Sequence, residues 1–267
     1  MKPSIRSPRQ LTVRALICAC AGLWLSTAAP TAHARTLAEV KALGAISVCL
    51  NPDALPYSSN KPETPGFQLE LAREIASGLD LSLSVEWILP RRRAKVVNCD
   101  MLVDRVNDPN MSDGRLFLSH PYQTSGVVLG MSRGAAPISD YSELQAGQKV
   151  GVMVNSIASM VLGKAGKTVS PYAFQADLIE DLEKDRLYAG AVSSASMSYY
   201  IHQHPESGLT LAYAFDNEPE LRWEISIGLR NSDQALVDAV NVIVDRLLAD
   251  GTISRIYRRY GVEHRVP

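Results

Sequence analysis

The chain has 267 residues, of which 46% are hydrophobic and 21% charged, and this composition excludes a disordered, collagen-like or low-complexity protein. The formal net charge of −1 gives no general attraction to nucleic acid or to anionic lipid. Four cysteines are too few for a disulfide-built miniprotein, so we expect a globular protein of one or two domains.

The first 34 residues have the three parts of a secretory signal peptide. Four basic residues and no acidic residue precede an apolar run from Ala15 to about Ala29, and Ala32-His33-Ala34 forms a small-x-small cleavage site. The alternative is a membrane anchor, but the run is shorter than the about 20 residues that a span needs. We therefore predict cleavage after Ala34, export to the periplasm, and a mature chain without a membrane span.

Two cysteines, Cys49 and Cys99, would remain after cleavage, in an oxidising compartment where a disulfide persists. Both lie beside short apolar runs that we interpret as strands. If these strands are parallel neighbours, the two cysteines lie side by side, as a disulfide requires. We predict the bridge, with two buried thiols as the alternative.

Hydrophobic spacing predicts alternating strands and helices along the mature chain. A strand at 46–50 is followed by a proline-rich loop at 51–66, and then by a helix in which apolar residues recur every four positions from Phe67 to Leu79. Residues 81–88 alternate between apolar and polar, as in a half-buried strand. Further strands are predicted at 100–104, 126–131, 149–154, 187–192, 209–213 and 224–229, and helices at 156–162, 175–185, 194–203, 232–250 (capped by Ser232) and 252–260. This order predicts an α/β fold with ligand groups on loops at the C-terminal ends of strands.

Motifs for common chemistry are missing from the sequence. There is no phosphate-binding loop, dinucleotide fingerprint, Gly-x-Ser-x-Gly elbow or Cys-x-x-Cys pair. The histidines lack the spacing of metal ligands. We therefore predict no metal, no cofactor and no catalytic residue, although a Ser/His/Asp triad built from scattered residues stays open.

Several segments in order resemble the periplasmic solute-binding proteins of family 3, the amino-acid receptors of ABC importers. They are the first strand with the loop 51–57, the helix start Gly66–Ala72 (Gly-Phe-x-x-Asp-Leu-Ala in the family), the turn 119–122 (Phe-Ser-x-Pro-Tyr), residues 144–151 followed by Asn155-Ser156, and the terminal helix at 249–257. The resemblance implies a two-lobe clamshell of type II, with each lobe a mixed sheet flanked by helices. Lobe 1 would be residues 35–126 plus 223–267 and lobe 2 residues 127–222, joined by two hinge strands.

The resemblance also implies a ligand or partner cleft between the lobes. Its candidate residues are Asn51, Tyr57, Arg91, Arg92, Asp104, Arg115, Tyr122, Asn155, Ser156 and Ser193. Some of them have a plainer alternative: Tyr57 covers a loop, Tyr122 packs near the hinge, Ser193 caps a helix, the arginines at 91–93 begin a solvated helix, and Asp104 pairs with Arg105.

Two departures from the family concern the anchors for an amino acid. The carboxylate-binding arginine of the family lies seven residues before the serine of its turn, whereas Arg115 lies four before Ser119. The acidic residue that holds the ligand ammonium corresponds to Ser193, which carries no negative charge. A standard free amino acid is therefore not the expected ligand.

A narrower resemblance suggests a different role. The Cys49 opening with its prolines, the Pro90-x-Arg92-Arg93 segment and Cys99-Asp100 are similar to the MoxJ/XoxJ type of solute-binding-fold protein, which is associated with pyrroloquinoline-quinone (PQQ) alcohol dehydrogenases. The first hypothesis is thus a non-enzymatic accessory or activating partner of a quinoprotein methanol or alcohol dehydrogenase. The second is the receptor of an ABC permease for a small-molecule solute other than a standard amino acid. The third is an enzyme on the same fold, similar to the periplasmic dehydratases that resemble family 3.

Overall fold

The structure, a computed structural model, describes residues 35–89, 99–108 and 116–267. The predicted signal peptide and residues Arg91, Arg92 and Arg115 lie outside the described residues. The helices are α1 (Leu37–Leu43), α2 (Phe67–Gly78), α3 (Ile157–Lys164), α4 (Gln175–Glu183), α5 (Ser194–Gln203), α6 (Gln234–Ala249) and α7 (Thr252–Arg258). The strands are β1 (Ala45–Leu50), β2 (Asp53–Ala54), β3 (Ser58–Ser59), β4 (Ser82–Trp87), β5 (Met101–Val106), β6 (Leu116–Met131), β7 (Val150–Met153), β8 (Val169–Tyr172), β9 (Ala189–Ser193), β10 (Thr210–Ala212) and β11 (Arg222–Arg230).

The strands form a mixed sheet in the order β4-β1-β5-β11-β6-β9-β7-β8, with β10 also paired to β6. The pairs β1–β4, β1–β5, β7–β8 and β7–β9 are parallel, while β11 runs antiparallel to β5 and β6. Helices pack against this sheet, so the predicted α/β class is confirmed.

Strand β6 joins two halves of the molecule. Up to Gly126 it pairs with β11, and from Val127 onward it pairs with β9 and β10. We call the part built from β1–β5, α1, α2, α6 and α7 the first half, and the part built from β7–β10 and α3–α5 the second half. The chain therefore passes between the halves next to Gly126 and returns before Trp223, near the predicted hinge. The predicted lobe boundaries themselves stay a prediction.

Each half has its own buried apolar residues. In the first half, α2 buries Phe67, Leu71 and Ile75 at the predicted four-residue spacing, and α6 buries Leu236, Val240, Ile243 and Leu247 against the same cluster. In the second half, the buried residues fall into two further clusters, around Leu129 and Leu162 and around Leu178 and Met197. Apart from Ala195 and Tyr199 on α5, which pack with the first-half cluster, each half therefore has its own apolar core.

The Cys49–Cys99 disulfide is present, with the two Cα atoms 5.6 Å apart. It follows from the parallel pairing of β1 and β5, in which Val48 faces Met101. Next to it, the buried carboxylate of Asp100 accepts hydrogen bonds from the backbone N–H and the hydroxyl of Ser47, at 2.7 and 2.6 Å, and pairs with Arg35. These contacts fix the start of β5.

Some local predictions were wrong or incomplete. Asp233 and not Ser232 caps α6, because the Asp233 carboxylate accepts from the N–H of Leu236 at 3.0 Å. The strand predicted at 126–131 is the end of the much longer β6. Helix α1, the β2–β3 pair and β8 had no prediction. By contrast Ser156 caps α3 as expected, accepting from the N–H of Ser159.

Candidate functional site

A cavity of about 510 Å³ lies where the two halves meet at the hinge strands. The first half contributes the ends of β1 and β5, the β2–β3 loop and the start of α2. The second half contributes Ser193 and Ala195 at the junction of β9 and α5. Of the predicted cleft residues, the structure brings Asn51, Tyr57, Asp104, Tyr122 and Ser193 together around this cavity.

The other predicted residues have different places. Asn155 is exposed, with a φ of 58°, and does not line the cavity. Ser156 lines a smaller neighbouring chamber. Arg91, Arg92 and Arg115 lie outside the described residues, so their roles stay predictions.

Tyr57 closes one side of the cavity and contacts the opposite half. Its ring packs against Phe67, with ring centroids 5.2 Å apart. Its hydroxyl lies 3.0 Å from the hydroxyl of Ser193, which belongs to the second half. The two halves therefore touch directly across the cavity through a pair of neutral polar groups.

Ser193 is held in place by its role as a helix cap. Its hydroxyl accepts from the N–H of Ser196 at 3.2 Å and lies 2.8 Å from the Ser196 hydroxyl, while its own N–H donates to Gln175 at 3.3 Å. A serine at this position satisfies the first turn of α5. Because it carries no charge, it cannot neutralise a ligand ammonium.

Tyr122 is buried beneath the cavity, and its hydroxyl donates to the carbonyl of Val103. Burial raises the pKa of Tyr122, so the hydroxyl stays protonated. Next to it, Gln123 accepts from the hydroxyl of Tyr257. Tyr122 thus joins β5 and β6 below the cavity, in agreement with the plainer alternative of packing near the hinge.

Arg105 lines the cavity beside Asp104 and pairs with it through Nη2 at 3.1 Å. The aliphatic part of Arg105 crosses Gly228 on β11, where a Cβ atom would come within 2.4 Å of the Arg105 Cγ. The arginine Nε is buried and has no hydrogen-bond acceptor within the described residues. The predicted alternative, an Asp104–Arg105 pair, is therefore present, and it leaves part of the guanidinium without a partner.

An apolar side chamber of about 240 Å³ adjoins the cavity, and Ser193 and Trp223 line both spaces. Its wall comes from the second half and the hinge, and includes Val127, Met153, Ile157, Ala158, Val192 and Leu221. Trp223, Gln68, Gln123 and Ser125 are site residues that the sequence analysis missed. The predicted hinge could have indicated Trp223, because this residue lies at the start of the second hinge strand.

A metal centre is not evident: the described part of the chain holds no group of three or more His, Cys, Asp or Glu side chains that could bind an ion. Within the same residues, no helix is long and apolar enough to cross a membrane. Besides aliphatic side chains such as Leu50, Leu102 and Ile225, the described wall of the cavity has hydroxyl, amide and aromatic groups and a single arginine–aspartate pair.

The family model of the bacterial extracellular solute-binding proteins, family 3, matches residues 46–263. The chain belongs to this family. A probable amino-acid ABC transporter-binding protein of Haemophilus influenzae is 23% identical over 72% of this chain and 74% of its own length. A probable histidine-binding protein of Neisseria gonorrhoeae is 22% identical over 91% and 89%. The L-cystine-binding protein of Escherichia coli is 22% identical over 84% and 85%.

Solved structures of solute-binding proteins have the same fold. The L-cystine solute receptor of Neisseria gonorrhoeae, in its unliganded open conformation, matches with a TM-score of 0.73 over 87% of this chain and all of its own, at 18% identity. An ancestral cationic amino acid solute-binding protein matches with a TM-score of 0.70 over 84% and 98%, also at 18% identity. These matches support the type II clamshell that the sequence predicted.

Larger enzymes also occur among the relatives. A membrane-bound lytic murein transglycosylase of Pseudomonas putida is 22% identical over 90% of this chain but only 50% of its own length. The solute-binding relatives, in contrast, match over most of their length. The family and these relatives are binding proteins.

Proposed function

We propose that this protein is the periplasmic receptor of an ABC importer and captures a small solute in the cavity between its two halves. The main support for this proposal is the cavity, whose volume suits a small molecule and whose walls come from both halves. Family membership and the transport receptors among its relatives support the same role. Export to the periplasm rests on the predicted signal peptide.

Solute binding would stabilise the arrangement in which the two halves are in contact. A ligand that touches both Tyr57 and Ser193 favours the closed arrangement, because it adds contacts which the open arrangement lacks. The closed form would then be the one presented to an ABC permease. The lobe boundaries at residues 126 and 223 are part of this proposal, since the antiparallel pairing of β6 and β11 ends there, with Arg222 opposite Gly126.

The solute is proposed to be other than a standard amino acid. Ser193 supplies no charge where the resemblance places the ammonium-binding acid. Arg115, whose spacing already departs from the family pattern, is not among the described residues. The relatives named for amino acids have only 22–23% identity, which does not transfer their ligands to this chain.

The accessory role toward a quinoprotein dehydrogenase has weaker support than the receptor role. The relatives reported above are transport receptors. The disulfide that is part of the MoxJ/XoxJ resemblance is present, but the Pro90–Arg93 segment lies outside the described residues. The accessory role therefore stays a prediction from the sequence motifs.

One experiment separates the two roles. The protein, purified from the periplasm and freed of carried-over solute, is mixed with a periplasmic extract of its source bacterium, desalted, and measured by native mass spectrometry. We expect one added small-molecule mass at a stoichiometry near one. Tyr57→Ala should lose it and Val242→Ala, a change at an exposed position on α6, should keep it. A quinoprotein dehydrogenase retained without any small molecule would overturn the receptor role.

A further inference from the structure

The apolar side chamber is suited to the hydrocarbon part of a ligand. Its lining is dominated by aliphatic side chains from β7, α3 and β9, together with Trp223 from β11. A chamber of this kind favours an apolar group, because the group leaves water without losing hydrogen bonds. Ser193 and Trp223 border both spaces, so one molecule can extend from the cavity into the chamber.

Arg105 is the group in the described cavity wall that can bind an anion. Its hydrogen bond to Asp104 is exposed and uses only Nη2, so a ligand can compete for the guanidinium at little cost. Its buried Nε–H has no acceptor within the described residues. That atom lies out of a ligand's reach, so a carboxylate would accept hydrogen bonds from the accessible part of the Arg105 side chain, which is 41% exposed.

The same wall is poorly suited to an ammonium group. Among the described residues that line the cavity and the chamber, the acidic side chains are Asp104, already paired with Arg105, and Glu220, which is exposed. Ser193, where the halves meet, offers only a hydroxyl. An ammonium buried there would lose its hydration without gaining a counter-charge, which is unfavourable.

We propose that the cleft binds a small organic carboxylate that has an apolar body and no ammonium group, with the carboxylate at Arg105 and the hydrocarbon in the side chamber. This inference rests on the proposed receptor function and specifies its ligand class. The distance along β11 agrees with the length of such a molecule. Arg105 faces Ser226, and Ser226 lies three residues from Trp223, or roughly 10 Å in an extended strand.

Four probes that share an unbranched five-carbon chain test the head group: hexanoate, L-norleucine, pentylamine and hexanamide. Their binding to the solute-free protein is measured by calorimetry. We expect hexanoate to bind at least about tenfold more tightly than norleucine or hexanamide, and pentylamine not to bind. Norleucine binding as tightly as hexanoate would overturn the inference and leave the receptor function standing. Failure of all four probes would overturn it as well.

Three variants assign the subsites. Arg105→Gln should abolish the preference for hexanoate over hexanamide, while Ala158→Phe, which fills the chamber, should weaken both. Ser193→Asp keeps a good helix cap and adds a negative charge, so it should shift the preference toward norleucine by about tenfold. Val242→Ala is the control.

The solute captured from the extract separates failure of this inference from failure of the proposed function. A captured solute with an ammonium group would overturn the ligand class alone. If neither the extract nor the probes yield a bound small molecule, the receptor function itself fails.

Discussion

The hydroxyl groups of Tyr57 and Ser193 lie 3.0 Å apart, although the two residues are 136 positions apart in the chain and belong to opposite halves of the molecule. Tyr57 is positioned by its packing on Phe67, and Ser193 by its capping of α5. Each hydroxyl is therefore positioned by contacts within its own half. Their hydrogen bond ties the halves together at the wall of the cavity without a ligand between them.

Tyr57→Phe removes this bond and keeps the ring on Phe67. We expect the free energy of unfolding to fall by about 1 kcal/mol, as for one hydrogen bond between neutral groups. The radius of gyration of the solute-free protein should rise in small-angle X-ray scattering, because the halves separate more readily.

Tyr199→Phe is the matched control for this variant. The Tyr199 ring contacts Tyr260, and its hydroxyl has no hydrogen bond among the residues that the structure describes. The control should leave both quantities unchanged. Equal radii for wild type and Tyr57→Phe would show that the hydroxyl pair does not hold the halves together.

The Cys49–Cys99 bridge closes a segment with a sequence separation of 50 and fixes β5 beside β1. Replacing both cysteines with serine should lower the free energy of unfolding by roughly 4 kcal/mol in the loop-entropy model. Guanidinium denaturation measures the loss. Dithiothreitol should destabilise the wild type and leave the double variant unaffected. A wild type that is insensitive to reductant and carries two free thiols would contradict the bridge.

Local patterns predicted much of the fold. The period of Phe67, Leu71 and Ile75 indicated α2, and the cap at Ser156 indicated α3, because both signals lie within one or two helical turns. The disulfide followed from compartment and pairing. Short pieces such as β2, β3 and β8 were missed, because two to four residues carry no readable period.

The site was harder to predict, because its geometry depends on contacts far apart in the chain. Tyr57 and Ser193 were each selected by resemblance to the family, but nothing in the spacing indicated that they touch. Arg105 was noted as the neighbour of Asp104, but its free Nε depends on its course over Gly228 of β11. Asn155 and Ser156 were placed in the same cleft, whereas Ser156 lines the side chamber instead.

The C-terminal segment forms a further tie between the halves. Arg265 makes two hydrogen bonds to Asp216, at 2.8 and 2.7 Å, and lies over the ring of Tyr213 at 4.4 Å. The hydroxyl of Tyr213 donates to Glu263 at 2.8 Å. The N–H of Thr124, on β6, donates to the Arg265 carbonyl at 2.7 Å. The tail that follows α7 is thus fastened to the chain segment between β10 and β11.

A double-mutant cycle with Arg265→Ala and Asp216→Asn tests this tie. Two-point pairing and partial burial of Arg265 favour a coupling free energy of about 1 kcal/mol, larger than for an exposed single contact. The Glu180–Lys184 pair on α4 is the comparison, with about 0.3–0.5 kcal/mol expected. Urea denaturation at low and high salt measures both. Equal coupling free energies in the two pairs would mean that the Arg265–Asp216 contact holds the tail no more strongly than an exposed ion pair does.

His264 should make the stability of the protein depend on pH. Its Nε2 lies 2.7 Å from the Tyr122 carbonyl oxygen and its Nδ1 2.8 Å from the Ser254 hydroxyl. Burial lowers the pKa of His264 below the ordinary value of 6.5, and the hydrogen bond to Tyr122 opposes this only partly. Above pH 6.5 the imidazole is neutral in both the folded and the unfolded chain, so its contribution to stability is fully present.

As the pH falls from 6.5 toward the lowered pKa, the unfolded chain takes up a proton that the folded protein does not, and stability is lost. Below that lowered pKa the loss is complete. The melting temperature should therefore fall as the pH drops below about 6.5, and His264→Gln should reduce the fall, because glutamine does not titrate. His202→Gln, at an exposed position, is the control and should leave the fall as large as in the wild type. An unchanged fall in His264→Gln would assign the pH dependence to other groups.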